Sequence, residues 1–149
     1  MRENGEQIVL VDLAAADYAA VIALWEAAGL HVRPAGRDAP EAFAHQLALG
    51  TQRVIGLLAD GQLVAVAVLT HDGRKGWINR LAVHPDWQRR GLASRLVAEA
   101  ERWFTADLGL EVWAALIESW NAPSLSLFDH LGFQRHDVVY VSKRGRTDA

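Results

Sequence analysis

Leu81-Ala82-Val83-His84-Pro85-Asp86-Trp87-Gln88-Arg89-Arg90-Gly91-Leu92-Ala93-Ser94 decides the reading of this chain, because it runs from the end of an aliphatic strand through a turn into the start of a helix. Pro85 has no N–H to continue a ladder. Between Gln88 and Ala93, small residues stand where a backbone must approach a ligand. The N–H groups of a first helical turn lack intrahelical acceptors and sit at the positive end of the helix dipole, so Gln88 to Ser94 suits an anion. Arg89 and Arg90 add mobile positive charge beside those amides, which favours a pyrophosphate over a neutral ligand. Neither a P-loop Gly-Lys-Ser/Thr nor a complete Gly-x-Gly-x-x-Gly fingerprint is present, so a nucleotide is held another way.

The elements on either side set the fold class. Upstream, Gly76 to Val83 is a strand whose alternation places Trp77, Asn79, Leu81 and Val83 on one face and Ile78, Arg80 and Ala82 on the other. Before it, Arg53 to Leu58 and Gln62 to Leu69 are aliphatic runs joined by Ala59-Asp60-Gly61, whose Asp-Gly pair predicts a tight hairpin. Asp72-Gly73 makes the next turn, so these three runs form an antiparallel meander. A first strand is expected at Ile8 to Leu13. A short amphipathic helix should then run from Asp17, with Val21, Leu24, Trp25 and Ala28 on its apolar stripe and a stop at Gly29. His31 to Pro40 is a loop, followed by a second helix carrying Phe43 and Leu47 and ending at Gly50.

Downstream of the quoted stretch, Leu92, Leu96, Ala100 and Trp103/Phe104 share a helical stripe as far as Gly109. Glu111 to Ile117 returns as a strand, and strand, crossover helix and strand imply a parallel pair. A last helix spans about Pro123 to His130, and Val138 to Val141 is expected as a closing strand before a basic tail. The whole is one α/β domain, residues 1–149, with a mixed, mainly antiparallel sheet of six to seven strands and about four helices; 1–7 and 144–149 are expected to fray.

Composition narrows the class further. The 149 residues carry 15 Lys+Arg against 18 Asp+Glu, a net charge of −3, with no long basic run, which argues against nucleic acid as a partner. A hydrophobic fraction of 51% supplies a core without staples. Cysteine is absent, which excludes disulfides, thiolate metal sites and a cysteine nucleophile. No apolar stretch approaches the ~20 residues of a membrane span, and no signal-peptide pattern opens the chain, so the expectation is a cytoplasmic protein without a membrane partner. The six histidines, at 31, 45, 71, 84, 130 and 136, form no His-x-x-x-His pair, so no metal is expected.

Gln88-x-x-Gly91-x-Ala93 after a Leu-Ala-Val-x-Pro strand end resembles the acetyl-CoA pyrophosphate motif of the GNAT superfamily of N-acetyltransferases, and Asn121 through Leu127-Phe128-x-x-Leu131-Gly132-Phe133 resembles its second signature. The likeness extends over nearly the whole chain, since the element order is the one that fold uses. It implies acetyl-CoA as co-substrate, with Gln88, Arg89, Arg90, Gly91, Leu92, Ala93 and Ser94 around the pyrophosphate. It further implies Leu81, Ala82 and Val83 along the pantetheine arm, with Asn121, Ser124 and Phe128 on the other side of that arm. The thioester would lie where the strand ending at Val83 and the strand ending at Glu118 splay apart. One departure stands out: the family often has a Tyr where this chain has Phe128, and that Tyr protonates the leaving thiolate. Since a thiol has a reference pKa near ~8.5, general-acid help is worth at most ~10²–10⁴-fold, and catalysis survives its loss. A lysine-like amine at ~10.4 costs about 4.6 kcal/mol to deprotonate at pH 7, so a base matters as much.

Glu118 is the first candidate for that base, although the same position suits a solvated strand-end carboxylate. Glu26, on the first helix, is second, against a plain surface role. Asn79 shares a face with Leu81 in the alternation and suits a water or the acceptor. Tyr140 and Ser126 are candidate replacements for the acid. Arg33 and Arg37 could anchor an acidic acceptor, against the commoner role of solvated loop charges. Trp77, Trp103 and Trp113 fit core positions, whereas Trp87 and Trp120 fall beside the proposed cofactor channel. The expected activity is acetyl transfer to a primary amine of a small molecule or a peptide; the alternative is an acetyl-CoA-binding sensor that has lost turnover. A homodimer is compatible with the sequence, which fixes neither the acceptor nor the oligomeric state.

Overall fold

The computed structural model describes residues 7–149. Its elements are β1 (Ile8–Leu13), α1 (Tyr18–Ala27), α2 (Pro40–Ala48), β2 (Gln52–Ala59), β3 (Gln62–His71), β4 (Gly76–Val83), α3 (Leu92–Arg102), β5 (Trp113–Ala115) and α4 (Ala122–His130). The strands form one sheet in the order β1-β2-β3-β4-β5, antiparallel except for the parallel β4–β5 pair. The hairpin between β2 and β3 closes on Asp60 (φ 49) and Gly61 (φ 85), both left-handed, as a two-residue type I′ turn requires. At the next turn Asp72 Oδ1 accepts the N–H groups of Arg74 and Lys75, each at 2.8 Å. Of the expected fraying at 1–7, residues 1–6 lie outside the described residues. In the tail, Arg146 donates to the Ala35 carbonyl at 2.6 Å.

The sheet is buried on both faces, which explains why β2 and β3 read as continuous aliphatic runs. One face carries Ile55, Leu57, Ala65, Ala67, Leu69 and Ile78 against α3 and Phe128 of α4. The other carries Leu13, Val54, Val66, Val68 and Ala82 against Val21, Leu24 and Trp25 of α1 and Phe43 of α2. Burying such side chains stabilises by roughly 1.5–3 kcal/mol each, so both helical layers are anchored independently of any ligand.

Among the described residues, five strands stand in place of the expected six to seven. The run Glu111 to Ile117 pairs only at Trp113–Ala115, and Val138 to Val141 forms no strand, its four side chains 69–85% exposed. β-Propensity acts through a buried face and a neighbouring ladder, and the three-residue β5 offers little edge to pair with. The helix from Leu92 also ends early as an α-helix: it turns into a π-helical turn at Trp103–Asp107, closed by Leu108 N–H to the Trp103 carbonyl at 3.1 Å, before the Gly109 stop. Trp103 is buried as expected, whereas Trp77 is half-buried beneath the Lys75 ammonium, 4.8 Å from its ring centre. Trp113 is half-buried and donates to Glu101 at 2.9 Å.

The strict alternation expected along β4 does not hold. Val66 pairs with Ala82 but Val68 pairs with Asn79, so one residue of β3 opposes two of β4, and Arg80 takes a left-handed φ of 50. This bulge reverses the parity of the strand. Ile78, Leu81 and Val83 face α3, while Arg80 and Ala82 face α1. Asn79 shares the face of its partner Val68, not that of Leu81, and donates to Thr70 Oγ1 at 3.1 Å.

Candidate functional site

The site is a gap in the sheet. β4 and β5 pair at Gly76↔Trp113, Trp77↔Ala114 and Ile78↔Ala115, and there β5 ends. β4 continues to Val83 with β3 on one side and, among the described residues, no strand on the other. Main-chain groups of Asn79 to Val83 on that side are therefore available to a ligand, because a backbone polar group left unpaired costs free energy. Leu81 and Val83 are half-buried there and Ala82 is buried on the opposite face.

The loop that follows β4 completes the gap. His84 N–H returns to the Val64 carbonyl at 2.8 Å, and the His84 ring accepts the Asp86 N–H at 3.1 Å, fixing a single 3-10 turn over Pro85–Trp87. Gln88 is extended, Arg89 has φ 64 and Gly91 has φ 75, so the chain twists twice through left-handed conformations before α3 begins. The first intrahelical bond is Arg95 N–H to the Gly91 carbonyl at 3.1 Å. The amides of Leu92, Ala93 and Ser94 thus precede the helical ladder, and no side chain caps them. Leu92, only 3% exposed, pins this turn to the core. Such a concave set of amides at a helix N-terminus is an anion cradle. Gln88, Arg89 and Arg90 are exposed around it. Arg90 is less mobile than its position suggests: its guanidinium stacks 4.4 Å from the Trp87 ring centre.

α4 packs on the α3 side of the sheet through Phe128. Asn121 Oδ1 caps α4 by accepting the Ser124 N–H at 3.3 Å, which leaves the Asn121 side-chain NH₂ as its donor toward a ligand. Phe128 is 6% exposed and meets Phe133 edge-to-face at 4.8 Å, so its ring belongs to the core. Trp120, by contrast, is 77% exposed. Glu118 does not end a strand: β5 stops at Ala115, and Glu118 is an exposed residue of the turn into α4, its carbonyl accepting Asn121 N–H at 2.9 Å. Glu26 is exposed on the last turn of α1. The structure places 81–83 and 88–94 in sequence along one strand edge and helix start, with Phe128 of α4 in the core layer they pack on. It leaves the two carboxylates at exposed positions, and it turns Asn79 away.

Sequence reading overlooked a charged cluster on the opposite face of β4. Arg80, three-quarters buried, lies with its guanidinium 4.1 Å from the Trp25 ring centre and Nη2 3.8 Å from Asp38 Oδ2. Asp38 Oδ2 in turn accepts the Arg33 N–H at 2.8 Å, and Tyr18 donates its hydroxyl to the Asp38 carbonyl. Burial pushes the Arg80 guanidinium below its usual value; Asp38 opposes that shift and the like charge of Arg37 adds to it. The available signal was a charged residue in the middle of an aliphatic strand. Among the described residues, no group of three His, Asp or Glu side chains is placed to hold a metal ion, and no helix is long and apolar enough to cross a membrane.

Known proteins share this fold. The chain is similar to solved structures of an aminoglycoside N-acetyltransferase, AAC(6')-Iy, in complex with CoA (TM-score 0.75, 17% identity, 98% of this chain and 100% of that one). It is also similar to the PaiA N-acetyltransferase of Thermoplasma acidophilum in complex with coenzyme A (TM-score 0.78, 17% identity, 89% and 93%). Among curated proteins, an acetyltransferase of Pectobacterium atrosepticum is 27% identical over 128 residues, covering 86% of this chain and 89% of that one. Residues 17–133, which run from the start of α1 past the end of α4 and so take in every wall of the gap, match the acetyltransferase (GNAT) family, and the chain belongs to that family.

Proposed function

We propose that this acetyltransferase moves the acetyl group of acetyl-CoA directly onto a primary amine of a small molecule or peptide. The observation that carries the reading is the gap itself: a strand edge left unpaired from Asn79 to Val83, leading without a break into the free amides of Leu92, Ala93 and Ser94. A pyrophosphate fits the amide cradle, and the amide-bearing pantetheine arm fits an unpaired strand edge, since it can exchange main-chain hydrogen bonds as a strand would. Asn121, Ser124 and Phe128 border the arm from α4. The structural relatives solved with CoA support the co-substrate.

In the proposed reaction the amine nitrogen attacks the thioester carbonyl, a C–N bond forms and the C–S bond breaks, and CoA departs as thiolate. Direct transfer follows from the absence of a cysteine and of a serine set in a nucleophile motif. The amine proton goes to Glu118, exposed in the turn into α4, with Glu26 as the second candidate. Phe128 supplies packing and no proton, so the thiolate leaves unassisted or takes a proton from solvent.

The test is release of free CoA from acetyl-CoA with a panel of amines, amino acids and peptide N-termini. Turnover of at least one class establishes the transferase; tight acetyl-CoA binding with no turnover across the panel would instead make the protein a sensor that Phe128 has helped to silence.

A further inference from the structure

The stretch after α4 is tied down at both ends and left in solvent between them. At its start the Phe133 N–H donates to the Phe128 carbonyl at 3.0 Å, and Arg135 donates to the two Asp129 carboxylate oxygens at 3.1 and 2.6 Å. At its far end Arg146 donates to the Ala35 carbonyl, and the chain lies so close over Gly36 that a Cβ there would meet the Asp148 carbonyl oxygen at 2.6 Å. Between these anchors residues 136–145 are exposed throughout, and among the described residues none of their main-chain groups is hydrogen-bonded. Their centre is Val138-Val139-Tyr140-Val141, four large apolar side chains facing water. A run of strand-forming residues with a free main chain, fixed on either side, is a template for a strand from outside.

The residues around that centre say which strand fits. Asp137-Val138-Val139-Tyr140-Val141-Ser142-Lys143 is self-complementary when laid antiparallel on itself about Tyr140. In that register Asp137 stands opposite Lys143, Val138 opposite Ser142 and Val139 opposite Val141, each twice, with Tyr140 opposite Tyr140 on the two-fold axis. Alternation then gives one face of the ribbon a row of aliphatic side chains closed at both ends by opposite charges, and gives the other face the tyrosine pair. Aromatic pairs and opposite charges directly across a ladder are both favourable. Sliding the partner by one residue parts Asp137 from Lys143 and breaks the row, so the register is specified.

We infer that Val138–Val141 is the interface of a homodimer, in which this run pairs antiparallel with the same run of a second copy about Tyr140. Three valines and a tyrosine at this exposure offer roughly 400 Å² of apolar surface per chain. A standard interface covers ~800 Å² per partner, so the dimer is a weak one, with a Kd of roughly 10–100 µM. The anchors at Phe133 and Arg146 lower the ordering cost of pairing, because each run is already held in place. The inference stands independently of the transferase reading.

Sedimentation velocity of the full chain at low ionic strength, from ~5 to ~500 µM, should show a monomer–dimer equilibrium with a Kd in that range. Tyr140→Asp, which sets two carboxylates against each other on the axis, should raise the Kd at least about tenfold. Asp137→Lys and Lys143→Asp each place like charges opposite one another twice, and each alone should raise it by about tenfold. An equimolar mixture of those two variants recreates both opposite-charge pairs, and should dimerise within about threefold of wild type. A thermal scan reports whether each variant folds, and the charge variants and their mixture carry the test if Tyr140→Asp does not. A wild type that stays monomeric at the highest concentration overturns the inference. So does a dimer indifferent to a folded Tyr140→Asp or to the single charge variants, and so do charge variants whose mixture fails to recover.

Discussion

Gly91→Ala isolates what the loop conformation contributes to cofactor binding. Gly91 has φ 75, and a Cβ placed on it meets nothing within 4 Å, so the substitution introduces no clash and no charge. Only the left-handed backbone resists it, at roughly 1–2 kcal/mol for an L-residue. The next residue, Leu92, is locked in the core at 3% exposure, whereas Gln88, Arg89 and Arg90 on the other side are exposed. Without ligand, the strain is relieved by movement of that exposed side, and the free protein should lose little stability. Binding pyrophosphate requires the amides to return to the cradle, so the strain reappears in the affinity. A penalty of 1–2 kcal/mol corresponds to ~5–30-fold weaker acetyl-CoA binding. Calorimetric titration gives the affinity and a thermal scan of the free protein gives the stability; the expected pair is a Kd raised by that factor with a Tm within about 2 °C of wild type. An unchanged Kd would mean that the cradle is not the pyrophosphate site. A large fall in Tm with unchanged Kd would mean that the loop is rigid without ligand, which contradicts the reasoning about its exposed side.

Three further outcomes are expected. Glu118→Gln lowers kcat/KM by ~10²-fold and flattens the acidic limb of its pH profile with acetyl-CoA affinity unchanged, the size expected for loss of a general base; a variant within twofold of wild type moves the proton to Glu26 or water. Phe128→Tyr raises kcat by no more than roughly threefold, because amine deprotonation and not thiolate departure is the costlier step; a tenfold gain, read from CoA release, would show that departure limits. Hydrogen bonds from Arg102 and, second, from Arg53 hold Glu99 down to about 2 from an ordinary 4.5. The folded value lies below the unfolded one, so Glu99 contributes its full stability above about pH 5 and loses it as pH falls toward 2; Glu99→Gln should cost ~2 kcal/mol in urea unfolding at pH 7 and nearly nothing near pH 2.

What the sequence disclosed depended on how local each signal is. The Asp60-Gly61 hairpin, the helix start at Leu92 and the α1 stripe of Val21, Leu24 and Trp25 are set by neighbours within a few residues, and all appear as read. Strand existence is not local: Val138 to Val141 has the composition of a strand and pairs with nothing, because pairing needs an edge that the short β5 does not provide. The ladder count was equally hidden. No pattern in β4 says that two of its residues will oppose one of β3, so alternation put Arg80 with Ile78 and Asn79 with Leu81, both wrongly. The same bulge decides which face receives the charge of Arg80. Without it, Arg80 would share the face of Ile78 and point its charge into the layer of Ile55, Leu57 and Phe104, where burial of an unpaired charge is prohibitive. With it, Leu81 and Val83 stay on the α3 side that leads to the amide cradle, and Arg80 turns to the α1 side where Trp25 and Asp38 can receive it. One inserted residue therefore keeps the Arg80 charge off the face that leads to the amide cradle.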